Sequence, residues 1–301
     1  MSELDALRIH FDPRSVAALK LILGFILFGI SLDIRPADLR TVLRQPRLAV
    51  VGLASQYVVL PLVTLAFVAA LRPQPSLALG LLLIATLPGG NISNYMVRVA
   101  GGNTALSISL TALAELTAFI FTPLMFGLLA PLTPGAAALL HTIRLDPLEL
   151  FLNVLVIVIV PVLVGMALAQ RAPALVERIQ KPVRIASLLL FVLLLVVATL
   201  ANREAFVAHA GTAALWCIPL NALAFASGYF FARLTGLPEP LARTIAFETG
   251  IKNTGLGLVL IFAFFGGQGG LALTSAFWGI WHCLSGLALA YWWKRRAIAA
   301  R

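Results

Sequence analysis

Glu248 and Lys252 lie four positions apart near the middle of an otherwise apolar stretch, in the run Glu248-Thr249-Gly250-Ile251-Lys252-Asn253-Thr254-Gly255. A charge at the centre of a bilayer costs about 2.5 to 3.5 kcal/mol on insertion scales. The two therefore imply either an i,i+4 ion pair that neutralises itself inside a bundle or a role in holding an ion. A second apolar stretch is interrupted by Leu87-Pro88-Gly89-Gly90-Asn91-Ile92-Ser93-Asn94. There Pro88 removes an amide donor and Gly89-Gly90 relax the backbone, so carbonyls from Leu83 to Leu87 lose helical partners and a new helix can start near Asn91. Asn91, Ser93 and Asn94 add neutral oxygens beside that new amino terminus, chemistry suited to a weakly held hard cation or a polar group of a substrate. A proline kink closed by capping side chains has the same local sequence.

Ser107, Thr111 and Glu115 follow at i, i+4 and i+8, one slowly drifting helical stripe that can face the two breaks. Packing bonds to carbonyls one turn back account for the hydroxyls but not for Glu115. Gln56 and Asn153 are amides in two further apolar stretches and either bridge helices or join the polar centre. His282 reads as a packed or substrate-facing histidine.

The elements that must position these groups are membrane spans. Of 301 residues 60% are apolar and 11% charged, and the mean hydropathy is +0.99, values outside the range of water-soluble domains. Runs of roughly 20 mainly apolar residues recur at 16–33, 47–71, 76–100, 103–129, 148–169, 183–200, 212–234, 241–265 and 271–293. The expected fold is an all-α polytopic membrane protein of nine spans, with spans three and eight discontinuous. Backbone broken at that depth survives only when packed in protein or lining a site.

The segment 131–147, with Pro131, Pro134 and Gly135, divides the chain into a first repeat of four spans, 1–130, and a second of five, 148–293, before a basic tail, 294–301. In each half the penultimate span is the interrupted one, and the two run in opposite directions, as inverted repeats require, with the first half one span short. Most of the 22 basic residues fall on inner loops and tail if the amino terminus is outside and the carboxyl terminus cytoplasmic. This topology leaves Lys252 alone unplaced. The basic residues follow loops rather than one face, so the net charge of +10 signals topology and not nucleic acid. The acidic first 13 residues carry no removable signal, and Cys217 and Cys283 are expected to be isolated buried thiols. The expected location is a plasma membrane, the inner membrane if the cell is bacterial.

These residues resemble the bile acid/sodium symporter family, within the wider bile/arsenite/riboflavin transporter group. The resemblance covers nearly all of the chain. It runs through Phe28-Gly29-Ile30-Ser31-Leu32 with Pro36-Ala37-Asp38, Pro88-Gly89-Gly90 with Ser93-Asn94, Gly102-Asn103 with Ser107 and Thr111, then Glu248, Gly250, Asn253 and Gly255, and finally Trp281-His282 with Ser285-Gly286. It implies panel and core domains, crossing broken helices and sodium-driven uptake of an organic anion. It implies one sodium site at Ser93, Asn94, Ser107, Thr111 and Glu248, and a second at Gln56, Glu248, backbone oxygens of Thr249 and Ile251, and a glutamine where this chain has Lys252. Substrate contacts are implied at Asn91, Asn253 and His282.

Two departures stand out. The chain starts at what is the second helix of many bacterial relatives, and Lys252 puts an ammonium where the second sodium would bind. Two unit charges ~4 Å apart repel by about 4 kcal/mol at an effective dielectric of 20. The second site is therefore expected to be lost, with Lys252 between Glu248 and Glu115 and one cation, sodium or a proton, balancing the remaining charge. The competing readings are an exporter or proton-coupled carrier of the wider group, an intramembrane enzyme and a non-transporting receptor. No His-Glu-x-x-His, paired aspartate or serine with a plausible base supports an enzyme. The identity of the anion and the oligomeric state have no signal in the sequence.

Overall fold

The computed structural model describes residues 5, 13–32, 45–143, 156, 159–201 and 203–299. Pro36-Ala37-Asp38, Asn153 and the start of the fifth expected span lie outside the described residues. Regular structure among the described residues is helical: α1 (Pro13–Ser31), α2 (Pro46–Ala54), α3 (Leu60–Leu71), α4 (Pro75–Thr86), α5 (Ile92–Val99), α6 (Thr104–Leu129), α7 (Ala136–Ile143), α8 (Val160–Arg171), α9 (Pro173–Ala201), α10 (Arg203–Leu234), α11 (Glu239–Gly250), α12 (Thr254–Phe264) and α13 (Gly269–Ala299). A π-helical turn, Ser55–Val59, joins α2 to α3.

Proline at the first or second position opens α2, α4 and α11, where its missing N–H would have had no helical partner. Four stretches are long and apolar enough to cross a bilayer, Pro46–Leu71, Thr104–Leu132, Phe206–Leu234 and Gly269–Arg296, and α4 and α8 are shorter apolar helices. The protein is an all-α, multi-pass membrane protein.

Lipid tails are as apolar as leucine, so helix contact depends on close approach and buried polar bonds rather than on exclusion of water. The seam between α4 and α13 shows this. A Cβ on Gly80 would lie 2.1 Å from Thr274 Oγ1, and one on Gly270 would lie 2.3 Å from Ser76 Oγ. Helix α1 packs with α8 and α9 and touches α12, with Gly165 set against Ser31. Helices α4, α5, α6, α10, α11 and α13 pack among themselves around the two broken elements, α4/α5 and α11/α12.

Candidate functional site

Both breaks are short extended segments. Helix α4 ends at Thr86, and Leu87, forced out of the helical region by Pro88, has ψ 156. Helix α11 ends at Gly250, and Ile251 has φ −96 and ψ 119. Extended backbone inside a membrane has no water for its lateral N–H and C=O groups, so it must find other partners. Here the two breaks satisfy each other: Gly90 N donates to Ile251 O at 3.1 Å and Asn253 N to Pro88 O at 3.0 Å, an antiparallel bridge of Gly89 and Lys252.

Side chains take the other freed carbonyls. Thr86 Oγ1 donates to Leu83 O and Thr122 Oγ1 to Thr86 O, each at 2.7 Å, and Asn221 Nδ2 donates to Gly250 O at 3.0 Å. Asn253 caps α12 by accepting from Leu256 N at 3.1 Å.

Glu248 sits in the last turn of α11, fully buried beside this bridge. Its Oε1 accepts from Ser93 Oγ on α5 and Ser107 Oγ on α6, both at 2.6 Å, and its Oε2 from Thr111 Oγ1 at 2.9 Å. Next to Ser93, Asn94 keeps a buried Oδ1 with no hydrogen-bond partner among the described residues. Position 89 is crowded: a Cβ there would lie 3.1 Å from both Glu248 Oε2 and Gln56 Oε1, so either side chain would have to shift. One carboxylate and three hydroxyls form a cluster of hard oxygens, and the unpartnered amide oxygen of Asn94 is one residue from Ser93. Each hydroxyl donates to the carboxylate now and can turn a lone pair toward a cation instead.

Lys252, paired with Gly89 in the bridge, is buried, with Nζ donating to Leu87 O at 3.0 Å and Gln56 O at 3.4 Å. The π turn explains the second acceptor. Leu60 N bonds to Ser55 O, so the donor due to Gln56 O is residue 61, and Pro61 has no N–H. The Gln56 carbonyl is left free and the ammonium takes it, while Gln56 Oε1 accepts from Gly89 N at 3.0 Å.

The sequence led us to expect Lys252 between Glu248 and Glu115. Among the described residues it forms no ion pair within 4 Å of Glu248 or Glu115. Helix α11 stops before it, and the extended Ile251 turns it off the i,i+4 stripe of Glu248. Glu115 instead accepts from Asn91 Nδ2 at 3.1 Å, leaving Oε2 buried and unpartnered. His282 on α13 is buried with Nδ1 unpartnered. The stripe Ser107, Thr111, Glu115 thus does face the breaks.

Sequence reading passed over Asn221, Ser55 and Thr122, and gave Ser285 no role beyond its place in the resemblance. Ser285 Oγ donates to Asn221 Oδ1 at 2.6 Å, and Ser55 Oγ and Thr249 Oγ1 lie 2.6 Å apart. An available signal was Pro219 just before Asn221 in the middle of an apolar helix.

Residues 20–209 match the model of the sodium bile acid symporter family. The chain is 30% identical over 278 residues to the uncharacterized sodium-dependent transporter YocS of Bacillus subtilis, an alignment covering 91% of this chain and 82% of that one. It is 30% identical over 278 residues to the probable sodium/metabolite cotransporter BASS2, chloroplastic, of Oryza sativa, covering 92% of this chain and 64% of that longer protein. It is 28% identical over 240 residues to the human ileal sodium/bile acid cotransporter, covering 79% and 67%. With the paired breaks and their oxygen cluster, these matches establish that the chain belongs to the sodium bile acid symporter family, whose members are membrane transporters and not enzymes.

Proposed function

We propose that this protein is a secondary active transporter that takes up an organic anion together with one sodium ion by alternating access. The observation that carries this reading is the buried Glu248 carboxylate, ringed by Ser93, Ser107 and Thr111 where the two breaks pair. Sodium is held by those oxygens and Asn94. The bound ion ties α5, α6 and α11 together and orders the surface that meets the anion at Asn91, Asn253 and His282. The anion is bile-acid-like, pantoate-like or a keto acid. In this reading nine spans form panel and core domains, the two broken helices cross in the core, and the repeats are 1–130 and 148–293 around the linker 131–147. The amino terminus faces outward and the basic tail, 294–301, faces the cytoplasm of a bacterial cell.

The stoichiometry follows from Lys252. Its ammonium occupies the free carbonyls of Gln56 and Leu87, the donor type a second hard cation would need, so this position is closed to sodium. Glu115, Glu248 and Lys252 together carry one net negative charge, which one cation cancels. The unpartnered Oε2 of Glu115 favours a variant of this reading in which that cation is a proton.

Uptake into proteoliposomes under imposed sodium or proton gradients, against a panel of the three anion classes, tests the reading. Sodium-driven flux with a Hill coefficient near one is expected, rising in Lys252→Gln. Flux indifferent to both gradients, or an unchanged coefficient in the variant, would refute the coupling or its stoichiometry respectively.

A further inference from the structure

A cavity of about 580 Å³ opens between α10, the start of α11 and the end of α13, built from none of the residues assigned to cation or substrate above. We propose that it holds the headgroup and upper acyl chain of an anionic phospholipid from the leaflet on the carboxyl-terminal side. This inference stands apart from the transport reading.

The cavity has an apolar body and a cationic, aromatic mouth. Ile218, Phe225, Phe230 and Leu289 line the body. The flanking helix faces are apolar and exposed at Leu223, Phe230 and Leu234 on α10 and at Leu284 and Trp292 on α13. The opening therefore faces acyl chains. Trp292, Trp293 and Tyr229 lie at the mouth, just before the basic run Lys294-Arg295-Arg296, the arrangement that marks the boundary of hydrocarbon and headgroup.

The charge at the mouth selects an anion. Its acid, Glu239, already accepts from Tyr229 Oη at 2.5 Å and Arg243 Nε at 3.0 Å. Partial burial pushes the Glu239 carboxyl up, but the Tyr229 hydroxyl and the Arg243 guanidinium outweigh it and hold the group below its ordinary value. Arg243 also donates Nη1 to Ala100 O at 2.9 Å and lies over the Trp293 ring, 5.6 Å from its centroid. Arg296 stacks over Trp292 at 4.0 Å and has no hydrogen-bond acceptor among the described residues. The lining thus holds two guanidinium groups and one carboxylate that is already bonded, and a stacked, unbonded guanidinium is shaped for the two oxygens of a phosphodiester.

Native mass spectrometry of the detergent-purified protein, titrated with phosphatidylglycerol or phosphatidylcholine of identical chains, tests this. The wild type is expected to retain one phosphatidylglycerol in preference to phosphatidylcholine by roughly fivefold or more, the scale of one juxtamembrane cation. Arg296→Gln should bring the two lipids to parity. Arg295→Gln, in the same basic run but outside the cavity lining, should keep the preference. Ala226→Trp, which fills the body, should lose the bound lipid while the fold persists by circular dichroism. Equal retention of both lipids by the wild type, or equal loss in Arg295→Gln and Arg296→Gln, would overturn the proposal. So would displacement of the lipid by free glycerol phosphate, because the cavity would then serve a soluble anion.

Discussion

A carboxylate buried in a membrane helix needs hydrogen-bond donors whether or not a cation is present, because an unpaired charge in that medium is far costlier than a lost neutral bond. Ser93, Ser107 and Thr111 supply them from two other helices, so the donor set stays assembled around Glu248. Replacing Glu248 with Gln keeps the size and some bonds but removes the charge. An opposite charge about 4 Å away is worth about 4 kcal/mol at an effective dielectric of 20. Sodium affinity in Glu248→Gln, measured by sodium-dependent uptake or by titration of intrinsic fluorescence, should fall by two to three orders of magnitude. A sodium affinity within severalfold of the wild type would remove Glu248 from the coordination sphere. The members of this cluster were legible in the sequence because each is polar in an apolar run and Ser107 and Thr111 share a helical stripe. Asn221 and Thr122 were not, because the carbonyls they satisfy are freed in distant segments, at Gly250 and Thr86. The carbonyl acceptors of Lys252 were not legible for a similar reason. Its acceptor at Gln56 exists only because a π turn and Pro61 coincide, and a π turn leaves no periodic mark.

At the scale of elements, the breaks can be located from Pro88, Gly89-Gly90 and Gly250, and α4, α5, α11 and α12 start or stop within a few residues of those positions. That the breaks pair backbone to backbone is a long-range fact no local pattern contains. The bridge is held in place by helix seams, and the approach of α4 to α13 is among the tightest. A Cβ at 270 would meet the Ser76 side chain at 2.3 and 2.6 Å and its backbone carbon at 2.9 Å, so Ser76 cannot simply rotate away. Gly270→Ala is expected to destabilise the protein by about 1 to 3 kcal/mol, the usual cost of overpacking. The paired controls are Gly127→Ala and Gly211→Ala, where an added Cβ meets nothing within 4 Å. Those two should be neutral or slightly stabilising, since alanine is the better helix former by up to about 1 kcal/mol. Thermal unfolding in detergent, followed by intrinsic fluorescence, separates the cases. Gly270→Ala melting together with the two controls would show that α4 and α13 can part at no cost.

Across the whole molecule, the oxygen cluster draws on α5, α6 and α11, so the cation proposed for it would stabilise the association of segments far apart in sequence. A ligand that binds only the folded state adds RT ln(1 + [L]/Kd), about 2.7 kcal/mol at a hundred times Kd. Above saturation the gain grows with the logarithm of concentration, with a slope proportional to the number of ions bound. The unfolding midpoint should therefore rise with sodium, with choline replacing it at constant ionic strength, and potassium should raise it much less, as coupling to sodium requires. In the wild type the slope should be that of one ion. In Lys252→Gln the ammonium leaves the carbonyls of Gln56 and Leu87, a second hard cation can enter, and the slope should approach twice the wild-type value. This readout needs no substrate, so it separates ion stoichiometry from the identity of the transported anion. A wild-type slope already equal to two ions would show that Lys252 leaves the second position open, and the charge balance drawn from Glu115, Glu248 and Lys252 would then fail with it.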